Sequence, residues 1–583
     1  MSRSVARNKG HYVLNSSYDM IVLGAGAAGM TAAAVAARKG LNVLLIEKSN
    51  LVGGTTAVSG GMVWIPANSK MVSVGLSDSV AEARIYLTSI ICGTASNDML
   101  ESFLKNADRC IRFLETNTAI RFRPVVRYPD YYPHLPGATM GGRVLEPMPF
   151  NAARLGAHFK SLRAPLPEFT LFGGMMVDRV DIPHFRNMAR SARSAFRVAR
   201  LLLRHGWERL AHTRGVSLVL GNALAARLLQ SVLDAGVTLA MDTTVTELLI
   251  SDRAVVGVKV KADDDVLEIH ATCGVVLATG GFSHNQALRS RYLPAAATAS
   301  AACGVNSGDG ITLAQSAGAI VKEGINGNAF WVPVSRFQRP DGSRGIFPHT
   351  VTDRAKPGLI AVNHSGQRFI NEACSYHAFV SEMLRANFGA DTATAYLICD
   401  SKFIWKYGLG AIQPFTVSLR RYIEQGYLRE AANLYDLALL LKIDPSGLET
   451  TVAHYNQGAA EGSDPDFGRG GDAYQRHLGD SDVAPNPCVL PINHPPYYAI
   501  AVHPGDLGTA AGLAVNQHGN LLDAAGESIR GLYACGNDMA SVMEGSYPGP
   551  GITLGPALTF GFLIGERLAA LHAPDDVPHS TKA

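Results

Sequence analysis

Cysteine pairs, charge excess and long apolar runs are all scarce in this 583-residue chain. Its eight cysteines include no CxxC pair, which argues against a disulfide framework or a zinc site and favours a reducing compartment. The net charge of +3 gives no bulk attraction to nucleic acid, so no nucleic-acid partner is expected. Residues 1–17 lack the apolar core of a signal peptide, and the sequence therefore predicts a cytoplasmic protein.

The most informative motif lies near the N-terminus, in "YDMIVLGAGAAGMTAAAVAARKGLNVLLIEK". It predicts a buried strand, a GxGxxG turn formed by Gly24, Gly26 and Gly29, an alanine-rich helix, and a second strand that ends at Glu47. Glycines at this turn allow the backbone to approach a pyrophosphate at the helix N-terminus, and the acid can bind a ribose hydroxyl. The pattern predicts an α/β, Rossmann-like domain that binds a dinucleotide.

The segments that follow favour FAD over NAD. The stretch "LVGGTTAVSGGMVWIP" is a long loop of small residues that can lie along the remainder of an extended cofactor. Two later strands, in "GVVLATGGF" and "GLYACGNDMAS", also end in glycine, so the cofactor domain is discontinuous. The candidate cofactor-binding residues are Gly24, Gly26, Ala28, Gly29, Glu47, Lys48, Gly54, Thr55, Thr56, Ser59, Gly60, Gly61, Val245, Ala278, Thr279, Gly280, Asp309, Gly536, Asn537, Gly551 and Leu554.

The spacing of these segments predicts the domain organisation. The FAD-binding domain is expected at about residues 15–297 and 503–575, with a helical insertion at about 143–215. An α+β catalytic domain is expected at 298–502, inserted between the two parts. The last residues, 576–583, are predicted to be a disordered tail.

With "NSGDGITLAQSAGA" and "GQRFINE", these motifs cover most of the chain, which resembles the FAD-dependent family of fumarate reductase flavoproteins and 3-ketosteroid dehydrogenases. In the reductase branch an arginine shortly after the "RFVNE" element acts as an acid. In this sequence Tyr376 stands at that place, and "SYPGPG" replaces the C-terminal arginine of that branch. A site without these cations is expected to bind dicarboxylates poorly and to suit a neutral ketone.

The resemblance to the 3-ketosteroid dehydrogenases implies roles for four residues. Tyr547 and the N–H of Gly551 would hold the ketone oxygen, Tyr376 would remove a proton, and Tyr131 would assist it. Tyr128 and Tyr132 lie beside Tyr131, which makes that assignment the least specific. The resemblance also implies non-covalent FAD, hydride transfer to flavin N5, and a quinone or other electron acceptor.

Several reactions remain open at this stage. The leading expectation is desaturation of a 3-ketosteroid, with the Δ1 position favoured and Δ4 possible. The alternatives are dehydrogenation of a smaller cyclic ketone of the cyclohexanone type, a fumarate-reductase-like enoate reductase, and a non-catalytic flavin electron carrier. In the first two cases the substrate is a hydrophobic cyclic ketone.

A run of arginines marks the predicted insertion. Six of them recur at steps of three and four residues, and they are Arg186, Arg190, Arg193, Arg197, Arg200 and Arg204. This spacing predicts one basic stripe along a helix. Such a helix can lie on an anionic membrane, and the alternatives are a solvated charged face or a subunit contact.

Overall fold

The computed structural model describes residues 14–91, 98–262, 265–350, 353–386 and 393–572. The tail predicted at 576–583 lies outside these residues. The strands of the described chain are β1 Ser17–Leu23, β2 Val43–Ile46, β3 Val63–Trp64, β4 Phe122–Pro124, β5 Val144–Pro147, β6 Phe150–Asn151, β7 Ser217–Leu218, β8 Thr238–Ala240, β9 Thr244–Ser251, β10 Ala254–Ala262, β11 Asp265–Leu277, β12 Ala299–Ser300, β13 Val321–Lys322, β14 Ala329–Gln338, β15 Arg344–Pro348, β16 Leu359–Val362, β17 Ala395–Asp400, β18 Arg429–Ala431, β19 Tyr497–Thr509, β20 Gly512–Leu513, β21 Asn520–Leu522 and β22 Ser528–Ala534.

The α-helices connect and cover these strands. Within the same described ranges they are α1 Ala27–Arg38, α2 Gly54–Val58, α3 Val80–Ile90, α4 Asp98–Asn117, α5 Ile182–Arg186, α6 Ala192–Ala211, α7 Leu220–Asp234, α8 Gln286–Tyr292, α9 Asp309–Ser316, α10 Tyr376–Ala386, α11 Ser401–Tyr407, α12 Arg420–Glu424, α13 Leu434–Leu441, α14 Pro445–Ala460, α15 Ala473–Leu478 and α16 Leu554–His572.

An eight-stranded sheet carries the first motif. Strands β8, β2, β1, β11 and β22 lie side by side in that order and run parallel, while β9, β10 and β21 add antiparallel neighbours. The register aligns Leu23 with Ile46 on one side and Leu277 on the other, so the parallel strands end at one edge. The strand order brings residues from both ends of the sequence to this edge. It is also the edge at which ligands of α/β sheets bind. The predicted discontinuous Rossmann-like fold is confirmed.

Helix α16 packs against α1 through small residues. A Cβ atom on Gly561 would lie 2.6 Å from the carbonyl oxygen of Ala28, and one on Gly565 would lie 2.7 Å from that of Ala32. The two helices therefore approach each other to backbone contact. By length and composition α16 could span a membrane, but it is an interior helix whose central residues are buried against the sheet domain.

A second, seven-stranded sheet forms the remainder of the core. Its main path is β15–β14–β19–β17–β16, with antiparallel pairing throughout, and β12 and β18 pair with β19. The predicted domain boundary at residues 502 and 503 falls inside β19, which stays in this sheet up to Thr509. We therefore propose that the catalytic domain ends after Thr509.

The predicted insertion differs from expectation in two ways. Its first residues form β5, the middle strand of a small sheet with β3 and β4, so we propose that the insertion begins after β6. The arginine stripe does not lie on one helix: α5 ends at Arg186, and Ser191 caps the start of α6 by accepting a hydrogen bond from the N–H of Ser194. The serine cap interrupts the periodicity, and only the arginines from Arg193 onward lie on α6.

Candidate active site

A cleft of about 1060 Å³ opens at the carboxyl edge of the parallel strands. Most residues predicted to bind the cofactor line it: Gly24, Gly26, Ala28, Glu47, Lys48, Gly54, Thr55, Thr56, Ser59, Val245, Ala278, Thr279, Gly280, Asp309, Gly536, Asn537 and Leu554. These residues come from segments more than 500 positions apart, and the strand order of the sheet brings them to one place.

Four predicted residues do not line this cleft: Gly29, Gly60, Gly61 and Gly551. A Cβ atom on Gly29 would lie 2.0 Å from the carbonyl oxygen of Gly24, so this glycine permits close packing within the turn. Gly61 has a φ of +69° and its Cβ would lie 2.4 Å from the amide nitrogen of Gly221. Gly29 and Gly61 therefore shape the chain around the cleft and do not line it.

The cleft has the donor set that a dinucleotide requires. Helix α1 begins at Gly26 without a side-chain cap, and a Cβ atom on Gly26 would meet nothing within 4 Å. The N–H of Ala27 donates to the Thr56 hydroxyl over 3.2 Å, and the positive end of the helix beside it favours an anion such as a pyrophosphate. Glu47 is buried and accepts hydrogen bonds from the N–H groups of Ala25 (2.9 Å) and Ser49 (3.0 Å), which fixes its carboxylate beside the turn. The residues present fit FAD.

One buried acid, which no sequence motif identified, joins the ends of β11 and β22. Asp538 accepts hydrogen bonds from the N–H of Thr279 (2.5 Å), the hydroxyl of Thr279 (2.9 Å) and the N–H of Gly281 (2.9 Å). Burial raises the pKa of this carboxyl, while these three donors lower it. Its place directly after the Gly536-Asn537 pair was the only signal in the sequence.

The tyrosines of the predicted catalytic set lie together. The hydroxyl of Tyr376 donates to that of Tyr547 over 2.8 Å. The ring of Tyr131 stacks on that of Tyr547, with 5.6 Å between centroids, and lies 5.7 Å from that of Tyr376. All three side chains are buried, and the Tyr131 hydroxyl bonds to no other group among the described residues. Three distant segments of the chain therefore converge on one apolar, hydroxyl-lined point.

The turn that carries Tyr547 is held rigidly by its neighbours. The carbonyl oxygen of Pro548 accepts hydrogen bonds from the Tyr86 hydroxyl (2.6 Å) and the Tyr131 N–H (3.0 Å). A Cβ atom on Gly549 would lie 2.6 Å from the indole nitrogen of Trp64. Because the prolines also restrict the backbone, the phenol of Tyr547 has little freedom to move.

Gly551 presents a backbone donor four residues after this phenol. Its φ is +93°, and a Cβ atom there would lie 2.4 Å from the carbonyl oxygen of Met62, so the position requires glycine. Its carbonyl oxygen accepts a hydrogen bond from the N–H of Trp64 (3.1 Å). Its own N–H donates to none of the described residues and is therefore available to a ligand.

A buried ion network supports the loop of Tyr131. Arg143 pairs with Asp78 and Asp130, each at 2.8 Å, and all three side chains are almost fully buried. Asp130 also accepts a hydrogen bond from the indole N–H of Trp64 over 2.8 Å. Asp130 immediately precedes Tyr131, so the network fixes the backbone from which this tyrosine projects.

Burial opposes ionisation of every phenol in the cluster. It raises the pKa of Tyr376 well above 10; Tyr547 raises it further and the nearby Tyr131 hydroxyl lowers it. Burial raises the pKa of Tyr547 to about 12, against the effects of the Tyr376 and Thr553 hydroxyls. Tyr547 is therefore a proton donor at neutral pH. Tyr376 can act as a base only if neighbouring groups, such as the Tyr131 hydroxyl, stabilise its ionised form.

A second cleft, of about 1310 Å³, leads from the surface to Tyr547. It is lined by Ser89, Ile90, Tyr132, Leu135, Asn326, Phe369, Ile370, His377, Ala378, Ser381, Glu382, Arg385, Phe467, Ser546 and Tyr547. Its two charged groups in the described chain, Glu382 and Arg385, pair with each other, and Arg385 is mostly exposed. The inner part of this cleft is therefore uncharged and can accept an apolar ring.

His377 lies beside Tyr547 in this cleft and was missed by the sequence analysis. Its ring is 5.6 Å from that of Tyr547, and its Nδ1 accepts a hydrogen bond from the N–H of Trp331 over 3.2 Å. Burial lowers its pKa to about 4, so the ring is neutral at physiological pH. The proton of this neutral ring is therefore on Nε2.

Comparisons with known proteins agree with this geometry. A family model described as an FAD binding domain matches residues 19–554. The chain is 36% identical to 4-oxocyclohex-2-ene-1-carboxylate 5-dehydrogenase of Sinomonas cyclohexanicum, over 98% of this chain and 96% of the relative. It is 35% identical to 3-oxosteroid 1-dehydrogenase of Mycolicibacterium smegmatis, over 96% and 99%. A crystal structure of 3-ketosteroid delta1-dehydrogenase from Sterolibacterium denitrificans, in complex with 1,4-androstadiene-3,17-dione, superimposes with a TM-score of 0.88, at 38% identity over 95% of this chain and 100% of that chain.

Proposed function

The chain belongs to the FAD-dependent family of 3-ketosteroid dehydrogenases and fumarate reductase flavoproteins, and we propose that it desaturates the carbon–carbon bond beside the ketone of a 3-ketosteroid. The observation that carries this proposal is the buried group formed by Tyr131, Tyr376 and Tyr547. No lysine or arginine of the described residues bonds to these phenols. A neutral carbonyl suits this environment, whereas a dicarboxylate would be left without a cation.

The first role of the site is to stabilise negative charge on the ketone oxygen. The Tyr547 hydroxyl and the Gly551 N–H both donate to this oxygen. Each such donor is worth about 3 to 4 kcal/mol in the transition state when it acts in a water-excluded site. The adjacent C–H becomes acidic because the charge that forms on its removal is held by two fixed donors.

The second role is to remove that proton. Tyr376 accepts it on its phenolate oxygen, and the Tyr131 hydroxyl stabilises this phenolate, in agreement with its lowering effect on the Tyr376 pKa. FAD, when bound without a covalent link in the first cleft, supplies the acceptor for the hydride that leaves the neighbouring carbon, at flavin N5. Loss of one proton and one hydride forms the double bond. The electron acceptor that regenerates the enzyme is proposed to be a quinone or a similar compound in the cytoplasm or at its membrane.

The Δ1 position is the favoured site of the new double bond. The steroid dehydrogenases described above, at 35% and 38% identity over nearly the whole chain, both carry this activity in their names. A second candidate, favoured by the 36% identity to the Sinomonas enzyme, is the dehydrogenation of a six-membered ring ketone that bears a carboxylate. The uncharged inner cleft argues for the steroid, since the described residues offer such a carboxylate only the paired Arg385.

The test is an anaerobic mixing experiment with the oxidised holoenzyme. Androst-4-ene-3,17-dione, a saturated 5α-3-ketosteroid and 4-oxocyclohex-2-ene-1-carboxylate are added separately, and bleaching of the flavin absorbance is followed with identification of each product. Rapid bleaching by the first compound with a 1,4-diene-3-one product supports the proposal. Bleaching only by the saturated steroid would change the proposed position of the double bond, and bleaching only by the carboxylate would change the proposed substrate class. No bleaching by any compound contradicts a ketone dehydrogenase, and reoxidation of reduced enzyme by fumarate then tests the enoate reductase.

A further inference from the structure

Helix α6 presents its large apolar side chains to solvent. The exposed fractions are 73% for Phe196, 67% for Leu203, 75% for Trp207 and 80% for Leu210. These residues follow each other at steps of seven, four and three, which places them on one side of the helix. In a helix that only covers a protein core this side would be polar.

The opposite side of α6 faces the protein. Its buried residues are Ser194, Val198 and His205, and all three lie about half a turn away from the apolar stripe. His205 contacts the carbonyl oxygen of Phe172 through Nε2 over 3.2 Å, and His184 contacts the Ser194 hydroxyl over 3.1 Å. The orientation of the helix is therefore fixed by contacts on its polar side, and the apolar stripe is held outward.

The charges on α6 complement an anionic surface. The helix contains five arginines and a single acid, Glu208. Arg193 and Arg200 flank the apolar stripe and pair with none of the described carboxylates. Glu208 lies to the side, and the backbone N–H of Val216 donates to its carboxylate over 2.9 Å. The stripe thus has cations and no carboxylate at its margin.

We infer that α6 anchors this protein to the surface of an anionic phospholipid bilayer. Phe196, Leu203, Trp207 and Leu210 enter the boundary between headgroups and acyl chains, and Arg193 and Arg200 contact lipid phosphates from the flank. Tryptophan is the side chain that favours this boundary, because its ring is apolar and its N–H is polar. A second copy of the chain fits the stripe less well, because Arg193 and Arg200 flank it and would face like charges.

This surface goes beyond the proposed activity and does not depend on it. If the steroid proposal also holds, the anchor places the enzyme where an apolar ketone and an apolar quinone are concentrated. The arginine stripe predicted from the sequence differs from this surface, because Arg197 pairs with Asp181 and Arg204 with Glu208. The membrane contact proposed here is carried by apolar residues that the arginine pattern did not identify.

The test is co-sedimentation of the FAD-loaded enzyme with vesicles, either pure phosphatidylcholine or a mixture with phosphatidylglycerol. We expect binding to the anionic vesicles that weakens with added salt, and much weaker binding to the neutral ones. The variant with Leu203→Ser, Trp207→Ser and Leu210→Ser is expected to bind at least about tenfold more weakly, since three large side chains lose their burial. Its turnover with a soluble dye acceptor is expected to stay unchanged.

Two controls keep the inference open to refutation. Trp405→Ser removes a tryptophan that is 51% exposed on α11 and should bind vesicles as the unmodified enzyme does. Light scattering of the same samples without lipid shows whether the stripe joins two copies. Failure to bind anionic vesicles at low salt, equal binding by the triple variant, or dimers that the triple variant abolishes in the absence of any lipid binding would each overturn the membrane anchor.

Discussion

Replacing Tyr547 by phenylalanine isolates one hydrogen bond at the proposed ketone site. The phenyl ring keeps the contacts that pack Tyr547, since Tyr131, Tyr376 and Phe330 touch the ring at centroid distances between 5.2 and 5.7 Å. The turn that carries it is bonded through the Pro548 carbonyl, which the substitution leaves intact. The change therefore removes a hydroxyl without moving the backbone.

The expected loss can be worked out from the geometry. Removing one of two fixed donors to a developing oxyanion costs about 2.7 to 4 kcal/mol, or roughly 100- to 1000-fold in turnover. The free energy of unfolding should fall by about 1 to 3 kcal/mol, because the variant leaves the buried Tyr376 hydroxyl without the acceptor of its 2.8 Å bond. The loss should appear in kcat more than in KM, since the bond is strongest in the transition state.

The assay is steady-state turnover of the steroid with a soluble dye acceptor, together with the flavin spectrum of the purified variant. A spectrum like that of the unmodified enzyme shows that the fold and the cofactor cleft persist. Turnover within threefold of the unmodified enzyme, with the flavin in place, would refute the assignment of Tyr547 as a donor. A colourless variant would show that Tyr547 supports cofactor binding, and its assignment to the ketone would then be withdrawn.

Substitutions and pH changes at the same site have three further expected outcomes. Turnover should rise with pH between about 7 and 10, because Tyr376 must be deprotonated and burial raises its pKa; Tyr131→Phe should move this rise to higher pH, measured as the pH profile of kcat. Gly26→Val should abolish FAD binding, because its side chain would fill the open space beside the helix, whereas Gly206→Val on α6 should retain the flavin absorbance. Arg143→Met should lower the free energy of unfolding in urea by about 3 to 5 kcal/mol, since it leaves two buried carboxylates unpaired, and a smaller effect would show that they are protonated or hydrated.

The cofactor half of the site could be predicted from sequence because it depends on local rules. The turn at Gly24 requires glycine, because its φ is +103° and a Cβ atom there would lie 2.3 Å from the carbonyl oxygen of Ala278, and the strands on either side are short, apolar and easily recognised. The same steric rules apply to Gly29 and Gly61, which pack closely against backbone and do not line the cleft. A glycine motif indicates that some group approaches the backbone closely, but it does not distinguish a ligand from another part of the chain.

The remainder depends on contacts between distant segments. Nothing adjacent to Asp130 in the sequence indicates that it binds Arg143 and the indole of Trp64, and His377 is recognisable only once Tyr547 lies beside it. The arginine period across α5 and α6 was misleading for the opposite reason. It continues through a turn that Ser191 imposes, so a regular pattern of charge concealed a break in the helix.

The hydrogen bond between Tyr376 and Tyr547 joins two parts of the molecule to which the proposed mechanism assigns separate tasks. Tyr547 lies between β22 of the parallel sheet and α16, while Tyr376 begins α10, which packs on β14 of the antiparallel sheet. In the proposed mechanism the part with Tyr376 supplies the base and the part with Tyr547 holds the carbonyl, so substitutions around Tyr376 are expected to change which ring ketones are accepted while the carbonyl site stays as it is. At the boundary between the two sheets, a part that is expected to vary with the substrate therefore meets a part whose chemistry is expected to stay the same.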